Sequence, residues 1–573
     1  MQLLEYPEEY IIKPSDGGSY QPLSISRLDG SLNLIGEAPI TSPMEMTVIY
    51  GVVGAIKLLA GTYVFVITSR KQVGMHQGFP VFQIMSLKFL SCNKALKLST
   101  AEEKRDEAYF VSLLKIVETS SGLYFSYQTD LTLNAQRSHN FAGLRKIPPL
   151  WKQADPRFLW NRSLIEELIE AKLEPYILPV IQGSFQTIQV TLKESLVRVT
   201  LISRRCIRRI GTRMWRRGAD LEGHVANFIE TEQLLEVDGF ITSYLQVRGS
   251  IPVLWEQIVD LTYKPKLNII NTDETPKVVE RHFRDLVQRY GPVLAVDLAD
   301  RKGNEGPLSL AYADAVQSLK HIRYISFDFH RICGLVHFQR LQLLYEQLAE
   351  DLKKQGYFLT NPAGEMIEEQ KGIVRVNCID CLDRTNVSQS FLAQKSFDSQ
   401  LQRIGLFSTS ECMLQHSNIH REFKILWANH GDEVSIQYSG THALKGDFVR
   451  YGRQTVSGLI KDGLSALARY YLNNFHDGIR QDAMDLVAGH YTVSRGNPSP
   501  FHLNGFESLA YLPVASVLIV GGLTITTLSL HQARDAHRFL CSVVWAGVTA
   551  GVMAIVKANG RLFCSRPRLC KLY

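Results

Sequence analysis

Two stretches of this sequence, 509–530 and 539–556, contain no charged residue over 22 and 18 positions. At about 1.5 Å per residue, helices of that length run roughly 33 and 27 Å, enough to cross the hydrocarbon core of a bilayer. Runs this long without a charge are rare in a soluble core. Only the eight residues HQARDAHR separate them, so the pair reads as a helical hairpin with both flanks on one side. The 17 residues at 557–573 carry Lys557, Arg561, Arg566, Arg568 and Lys571 and no acid. The positive-inside rule puts that tail, and with it the long region before the hairpin, in the cytosol. The shorter second run suits a thin membrane.

A third apolar stretch, 46–67, reads differently. Lys57 sits at its centre, it is rich in β-branched residues (Val48, Ile49, Val52, Val53, Val64, Val66, Ile67), and Gly51, Gly54 and Gly61 interrupt it. That pattern predicts consecutive strands with glycine turns.

The remainder has a composition that buries a core. Hydrophobic residues make up 45% and charged residues 21% of 573, which excludes a disordered or collagen-like chain. Lys+Arg number 63 against Asp+Glu 56, a net of +7. That is too mild for a generic nucleic-acid binder, though a local basic face is compatible with it. Nine cysteines at irregular spacing are no secreted disulfide framework. MQLLEYPEEYIIKP is acidic and lacks the basic and apolar regions of a signal peptide.

Residues 1 to about 150 read as strand-rich with one helix. Thr100 and Glu103 form a capping box ahead of Phe110, Leu113, Leu114 and Val117. Strands and helices alternate through 180–405, which predicts an α/β core. A helix carrying Leu341, Leu344, Leu348 and Leu352 stops before Gly356, and Asn361-Pro362-Ala363-Gly364 is a turn. The stretch VSRGNPSPFHLNG (493–505) reads as a linker to the first apolar run.

The chemistry concentrates at 372–405. Ile373, Val374 and Val376 make a short strand, and Val387, Phe391, Phe397, Leu401 and Ile404 line a helix that ends at Gly405. Between them stands Cys378-Ile379-Asp380-Cys381-Leu382-Asp383-Arg384, a C-x5-R loop. A strand-to-helix loop aims backbone N–H groups and a helix dipole at one point, where an anion binds. A thiol there ionises readily and becomes nucleophilic, and an arginine six positions on can fork two bonds onto a phosphate. Cysteinyl-phosphate chemistry requires those parts. The bare pattern is weakly specific and also fits a buried cysteine beside a surface arginine. Cys378 and Cys381 also spell C-x-x-C, but the second pair of a zinc site is missing, and no His/Asp/Glu cluster has ligand spacing.

CIDCLDRTN resembles the signature of the Sac-domain phosphoinositide phosphatases, C-x-D-C-x-D-R-T-N. RRGADLEGHVANFIETEQ (216–233), QVRGSIPVLWEQ (246–257), ISFDFH (325–330) and GTHALKGDFVRYGRQT (440–455) are similar to further blocks of that family. The resemblance implies a strand-rich Sac N-terminal domain over 1–175 and a cysteine-phosphatase-like α/β catalytic domain over 176–492. A linker (493–508), membrane helices at 509–530 and 539–556 and a basic cytosolic tail at 557–573 follow. It implies removal of phosphate from phosphatidylinositol 4-phosphate and 3-phosphate without metal or cofactor. Endoplasmic reticulum and Golgi membranes are the implied location, with membrane-contact-site proteins as expected partners and no nucleic acid.

In that frame Cys378 is the expected nucleophile and Arg384 the phosphate clamp. By similarity to lipid phosphatases with an acid inside the loop, Asp383 is the first candidate for the general acid and Asp380 the second. Thr385 and Asn386 are expected to cap the helix or brace the loop. Cys381 is either a small buried residue or the partner of Cys378 in a reversible disulfide. Arg204, Arg205, Arg208, Arg209, Arg213, Arg216 and Arg217, and again Lys445, Arg450, Arg453 and Lys461, read either as solvated faces or as contacts to an anionic headgroup or leaflet. Asn161 and Asn386 spell glycosylation sequons that cytosolic topology silences. Two rivals remain: a protein-tyrosine or dual-specificity phosphatase using the same loop, and a phosphoinositide-binding membrane adaptor without catalysis.

Overall fold

Stretch 46–67 folds as its β-branched pattern dictates, into strands Glu45–Val48 and Val52–Lys57 and the start of Thr62–His76. Gly54 has φ +145°, and a Cβ there would strike the Leu164 carbonyl, so only glycine allows that close approach. These coordinates form a computed structural model that describes residues 1–569 except 16–19, 37–41, 95–97, 99, 143–147, 271–272, 335–336, 496–498, 502–507 and 532–535.

Strands Gln2–Glu5, Glu9–Lys13, Leu23–Ser26, Leu32–Leu34 and Glu45–Val48 make a five-stranded sheet. A second, larger sheet begins at Val52–Lys57 and continues through the long hairpin Thr62–His76/Phe79–Cys92 and Leu123–Phe125. It then passes without a break into β1 (Ile181–Leu192), β2 (Ser195–Arg205), β3 (Ile229–Val237) and β4 (Phe240–Arg248). One run of paired strands therefore crosses the boundary expected at 175–176. The helix Ala101–Glu118 carries its capping box, Thr100 with Glu103, and buries Phe110, Leu113, Leu114 and Val117.

Beyond β4 the sheet turns parallel. β5 (Val293–Asp297) pairs in parallel with β6 (Ile322–Ser326) and with β7 (Ile373–Asn377), and β7 pairs in parallel with β4. Helices Thr275–Tyr290, Gly306–Gln317 and Gln342–Gln355 make the crossovers, and the last ends at Gly356 with φ +64°. Parallel strands need cover on both faces. Val247, Val293, Ala295 and Ile373 face Val278, Phe283 and Tyr312 on one side. Leu294, Val296, Val374 and Val376 face Leu344, Leu348 and Leu392 on the other. The result is the expected mixed α/β fold with a strand-rich N-terminal region.

After β7 come α1 (Asp383–Arg403), α2 (Ser417–Ser439), α3 (Val456–Phe475) and α4 (Asp477–Val487). Phe397 and Leu401 of α1 pack with Trp427 of α2 against Val190, Val197 and Val199. The apolar runs form α5 (Ser508–His531) and α6 (Ala536–Ala558), which lie side by side, with Thr549 closing over Gly522. Among the described residues one helix, Phe539–Ala558 with mean hydropathy 2.2, is long and apolar enough to cross a membrane. In α5 the described apolar part is Val517–His531, and the side chains of 508–516 lie outside the described residues.

Of the expected linker 493–508, residues 496–498 and 502–507 lie outside the described set, and two of the described ones touch the body. Arg495 donates to the Leu59 carbonyl, and the Phe501 ring meets Tyr109 and Phe110. The chain also returns after α6. Asp482 of α4 accepts the backbone N–H groups of Arg568 and Leu569 and the Tyr109 hydroxyl. Cys564 and Leu569 are buried in the body of the protein.

Candidate active site

The carboxyl ends of β5, β6 and β7 open on a cavity of about 600 Å³, where ligands bind in parallel α/β sheets. β7 ends at Asn377, and the chain turns through 378–382 into α1. Cys381 makes that turn possible by adopting φ +54°. Its N–H points at the Cys378 sulfur, 3.1 Å away, and its own thiol donates to the Gly249 carbonyl.

Cys378 lies buried at the amino end of α1. Burial opposes its ionisation. The bond from Cys381, the charge of Arg384 and the Thr385 hydroxyl, 3.3 Å from the sulfur, outweigh burial and bring the thiol down to about 5. Cys381 goes the other way, pushed well above the usual thiol range by burial and by its neighbour Cys378. One thiolate and one thiol therefore sit three residues apart, and both are free cysteines.

The two loop acids separate just as sharply. Asp380 lies between Arg217, at 2.6 Å, and Arg213, at 2.7 Å. Burial would raise its value, but the two guanidiniums hold it far below the carboxylate range. Asp383, in the first turn of α1, accepts the Leu444 N–H at 3.0 Å. Burial pushes it up to about 6, with Cys378 and Asp380 adding to the rise and Arg469 opposing it. Asp383 thus holds a proton at a pH where Asp380 does not.

Arg384 is fully engaged. It grips Glu305 through two bonds and also donates to the Leu298 carbonyl. Asp300, in the same loop after β5, bonds the His330 ring at 2.8 Å. Lys264, Lys302, Lys445, Arg469 and Tyr263 also line the cavity, where lysines and arginines outnumber the acids Asp300, Glu305, Asp380 and Asp383.

Several residues differ from their sequence reading. Of the arginines of 204–217, Arg204, Arg205, Arg209, Arg216 and Arg217 are buried and make no solvated face, while Arg213 and Arg217 line the cavity. Arg204 bonds Glu230 and Glu232, Arg216 bonds Asp485, and Arg213 and Arg217 brace the loop. A buried cation needs such a partner, and the matching acids are far away in sequence. Arg450 of the second basic stretch is paired with Asp432. Thr385 does not cap the helix but bonds the sulfur, whereas Asn386 braces, accepting from Arg248 and donating to the Trp427 carbonyl. Asn161 is fully buried, bonded to the Val53 and Leu178 carbonyls. Sequence reasoning missed Glu305, Asp300, Arg469 and Tyr263. Of the singled-out blocks, 216–233 supplies Arg217, 325–330 supplies His330 and 440–455 supplies Leu444 and Lys445.

Comparison with known proteins identifies the family. A family profile described as SacI homology domain matches residues 50–334. The chain is 56% identical over its whole length to Phosphoinositide phosphatase SAC8 of Arabidopsis thaliana, covering 97% of that protein. It is 36% identical to Phosphatidylinositol-3-phosphatase SAC1-A of Danio rerio, over 98% of this chain and 97% of the relative. It is 33% identical to Phosphatidylinositol-3-phosphatase SAC1 of Saccharomyces cerevisiae, over 96% and 89%. With its C-x5-R loop lining the cavity, the chain belongs to the SacI homology-domain phosphoinositide phosphatases, a family of phosphoric monoester hydrolases.

Proposed function

We propose that this enzyme hydrolyses phosphatidylinositol 4-phosphate, and also phosphatidylinositol 3-phosphate, through a cysteinyl-phosphate intermediate. It would act at the cytosolic face of endoplasmic reticulum and Golgi membranes, anchored by α5 and α6. The observation that carries the mechanism is the Cys378 thiol, lowered to about 5, which shares one cavity with a cation that can fork onto phosphate and with Asp383, an acid raised to about 6.

In the first step the Cys378 sulfur attacks phosphorus and the bond from phosphorus to the inositol oxygen breaks. Asp383 gives its proton to that oxygen. In the second step Asp383, now a carboxylate, takes a proton from water. The water oxygen attacks phosphorus, and the phosphorus–sulfur bond breaks to release inorganic phosphate and regenerate the thiolate. Arg384 holds the phosphate oxygens through both steps once it lets go of Glu305. Asp380, kept ionised by Arg213 and Arg217, is a poor proton donor and serves as the loop's brace. The excess of cations lining the cavity suits a phosphorylated inositol ring.

Phosphate release from a panel of short-chain phosphoinositides and phosphopeptides tests the substrate. Acid quenching with trapping of phosphate on Cys378 tests the intermediate. Faster turnover of phosphopeptides would favour the protein-phosphatase reading, and binding of phosphoinositide without release of phosphate the adaptor.

A further inference from the structure

Helix α3 is built inside out. Its inward side is polar: Arg469, Asn473 and Asn474 are buried, and Arg469 bonds Thr441, Ser435 and the His442 carbonyl. Its outward side is apolar. Val456, Leu459, Ile460, Leu464, Leu467 and Tyr471 are 78, 64, 59, 63, 67 and 60% exposed. Those positions follow the spacing of one helical stripe. In water an amphipathic helix turns such a stripe toward the core. A contiguous exposed patch of large apolar side chains marks a surface that meets something apolar.

Two observations identify the occupant. The first is continuity with the apolar helices. Asn474, at the carboxyl end of α3, accepts the Ser565 N–H and the Cys564 thiol, and Gly560 abuts the Asp260 carbonyl. The chain leaving α6 is therefore fastened at the foot of α3. The second is charge. Arg453 and Lys461 are exposed beside the stripe, and Tyr451 and Tyr263 flank it at 58 and 64% exposure. Aromatic and basic side chains bordering an apolar face are the composition of a helix that lies in the interface of an anionic bilayer. The same helix forms a wall of the cavity through Ala466, Arg469, Tyr470 and Asn473.

We infer that α3 lies in the headgroup region of the leaflet occupied by its own apolar helices, with Val456, Leu459, Ile460, Leu464, Leu467 and Tyr471 immersed, so that the cavity opens at the depth of a lipid headgroup. This rests on reading α6 as a membrane anchor. About 30 Å of helix would lie along the surface.

The test uses the full chain reconstituted in vesicles of phosphatidylcholine with phosphatidylserine. A fluorescent amino acid replaces Leu464, and a control replaces Leu343 on the exposed side of Gln342–Gln355. Spin-labelled acyl chains are expected to quench the probe at 464 and leave the probe at 343 bright. The variant L459Q/L464Q/L467Q is expected to lose about tenfold or more in rate on vesicle-borne phosphoinositide. Its turnover of a soluble short-chain phosphoinositide should stay within about twofold of the parent, because those side chains do not face the cavity. A probe at 464 as unquenched as that at 343 would overturn the inference. So would equal loss on both substrates, or an unquenched probe in a chain that the variant converts from dimer to monomer. Should the triple variant not fold, the quenching of the single-site probes decides. Quenching at 464 in a parent chain that releases no phosphate from any phosphoinositide would support the immersed helix and count against the proposed function.

Discussion

Arg384 and Glu305 face each other through two bonds of 2.9 and 2.8 Å, one from each terminal guanidinium nitrogen to each carboxylate oxygen. This is the same two-point fork a phosphate would take. Substrate therefore meets an arginine already holding an anion. Replacing Glu305 by Gln leaves a neutral partner that phosphate displaces more easily. Inhibition by inorganic phosphate or vanadate is expected to tighten by about tenfold, the factor that 1.4 kcal/mol represents. Unchanged or weaker inhibition in that variant would mean the fork does not compete with phosphate.

Cys378→Ser is expected to lower phosphatase activity below about one thousandth of the parent, because a hydroxyl does not ionise where this thiol does. The substitution is nearly isosteric, so the melting temperature should stay within a few degrees. Substantial turnover by the folded variant would remove Cys378 from the mechanism.

Arg384→Lys should be almost as damaging, by about a hundredfold or more in kcat/KM, since an ammonium cannot reproduce a planar fork. Steady-state kinetics on a soluble phosphoinositide measure this directly. Near-normal efficiency would place the phosphate grip elsewhere in the cavity, with Arg469 and Lys264 the next cations to test.

The pH profile follows from two values moved in opposite directions. Cys378, lowered to about 5, must lose its proton to attack, so activity rises as pH climbs through that value. Asp383, raised to about 6, must keep its proton to give it away, so activity falls as pH climbs further. An acid-shifted bell for kcat/KM is expected, its two limbs belonging to the coupled pair. Asp383→Asn should remove the descending limb and cost about 10² to 10⁴ in rate.

Asp380 should answer to stability rather than to rate-limiting proton transfer. Its carboxyl is lowered by Arg213 and Arg217, so the stabilisation is present above the unfolded carboxylate value and is lost as pH falls through the folded one. Asp380→Asn leaves two largely buried guanidiniums facing a neutral group, at a cost of about 3 kcal/mol. Denaturant midpoints should show that loss at neutral pH and little of it in strong acid. Equal stability of the variant at both would remove the ion pairs from the folding account.

The sequence showed the site's elements more clearly than its surroundings. The strand Ile373–Asn377, the turn and the helix at Asp383 follow from local periodicity and from the C-x5-R spacing. The strands of 46–67 follow from β-branching and glycine. Glu305, Asp300, Arg213 and Arg217 did not emerge with their roles, because their partners lie 30 to 167 residues away. No local pattern announces such a pairing. The arginine run at 204–217 was misleading for the same reason: charge density along the chain says nothing about burial when the neutralising acids arrive from a strand (Glu230, Glu232), a loop (Asp380) and a helix (Asp485) elsewhere in the chain. Helix α3 was hidden because its stripe of apolar residues fits a core helix equally well. Only the structure shows which way the stripe points.

The bond between Asp482 and the backbone at 568–569 also sets an order of events. Tyr109 belongs to the first helix of the chain, Asp482 to the last before the apolar pair, and Leu569 to the segment translated after that pair. All three meet in or beside one core. That core therefore stays unfinished through most of translation, and its closing residues become available only after both apolar helices have left the ribosome. Under the proposed anchoring by α5 and α6, entry into lipid precedes completion of the soluble body and becomes a step in folding.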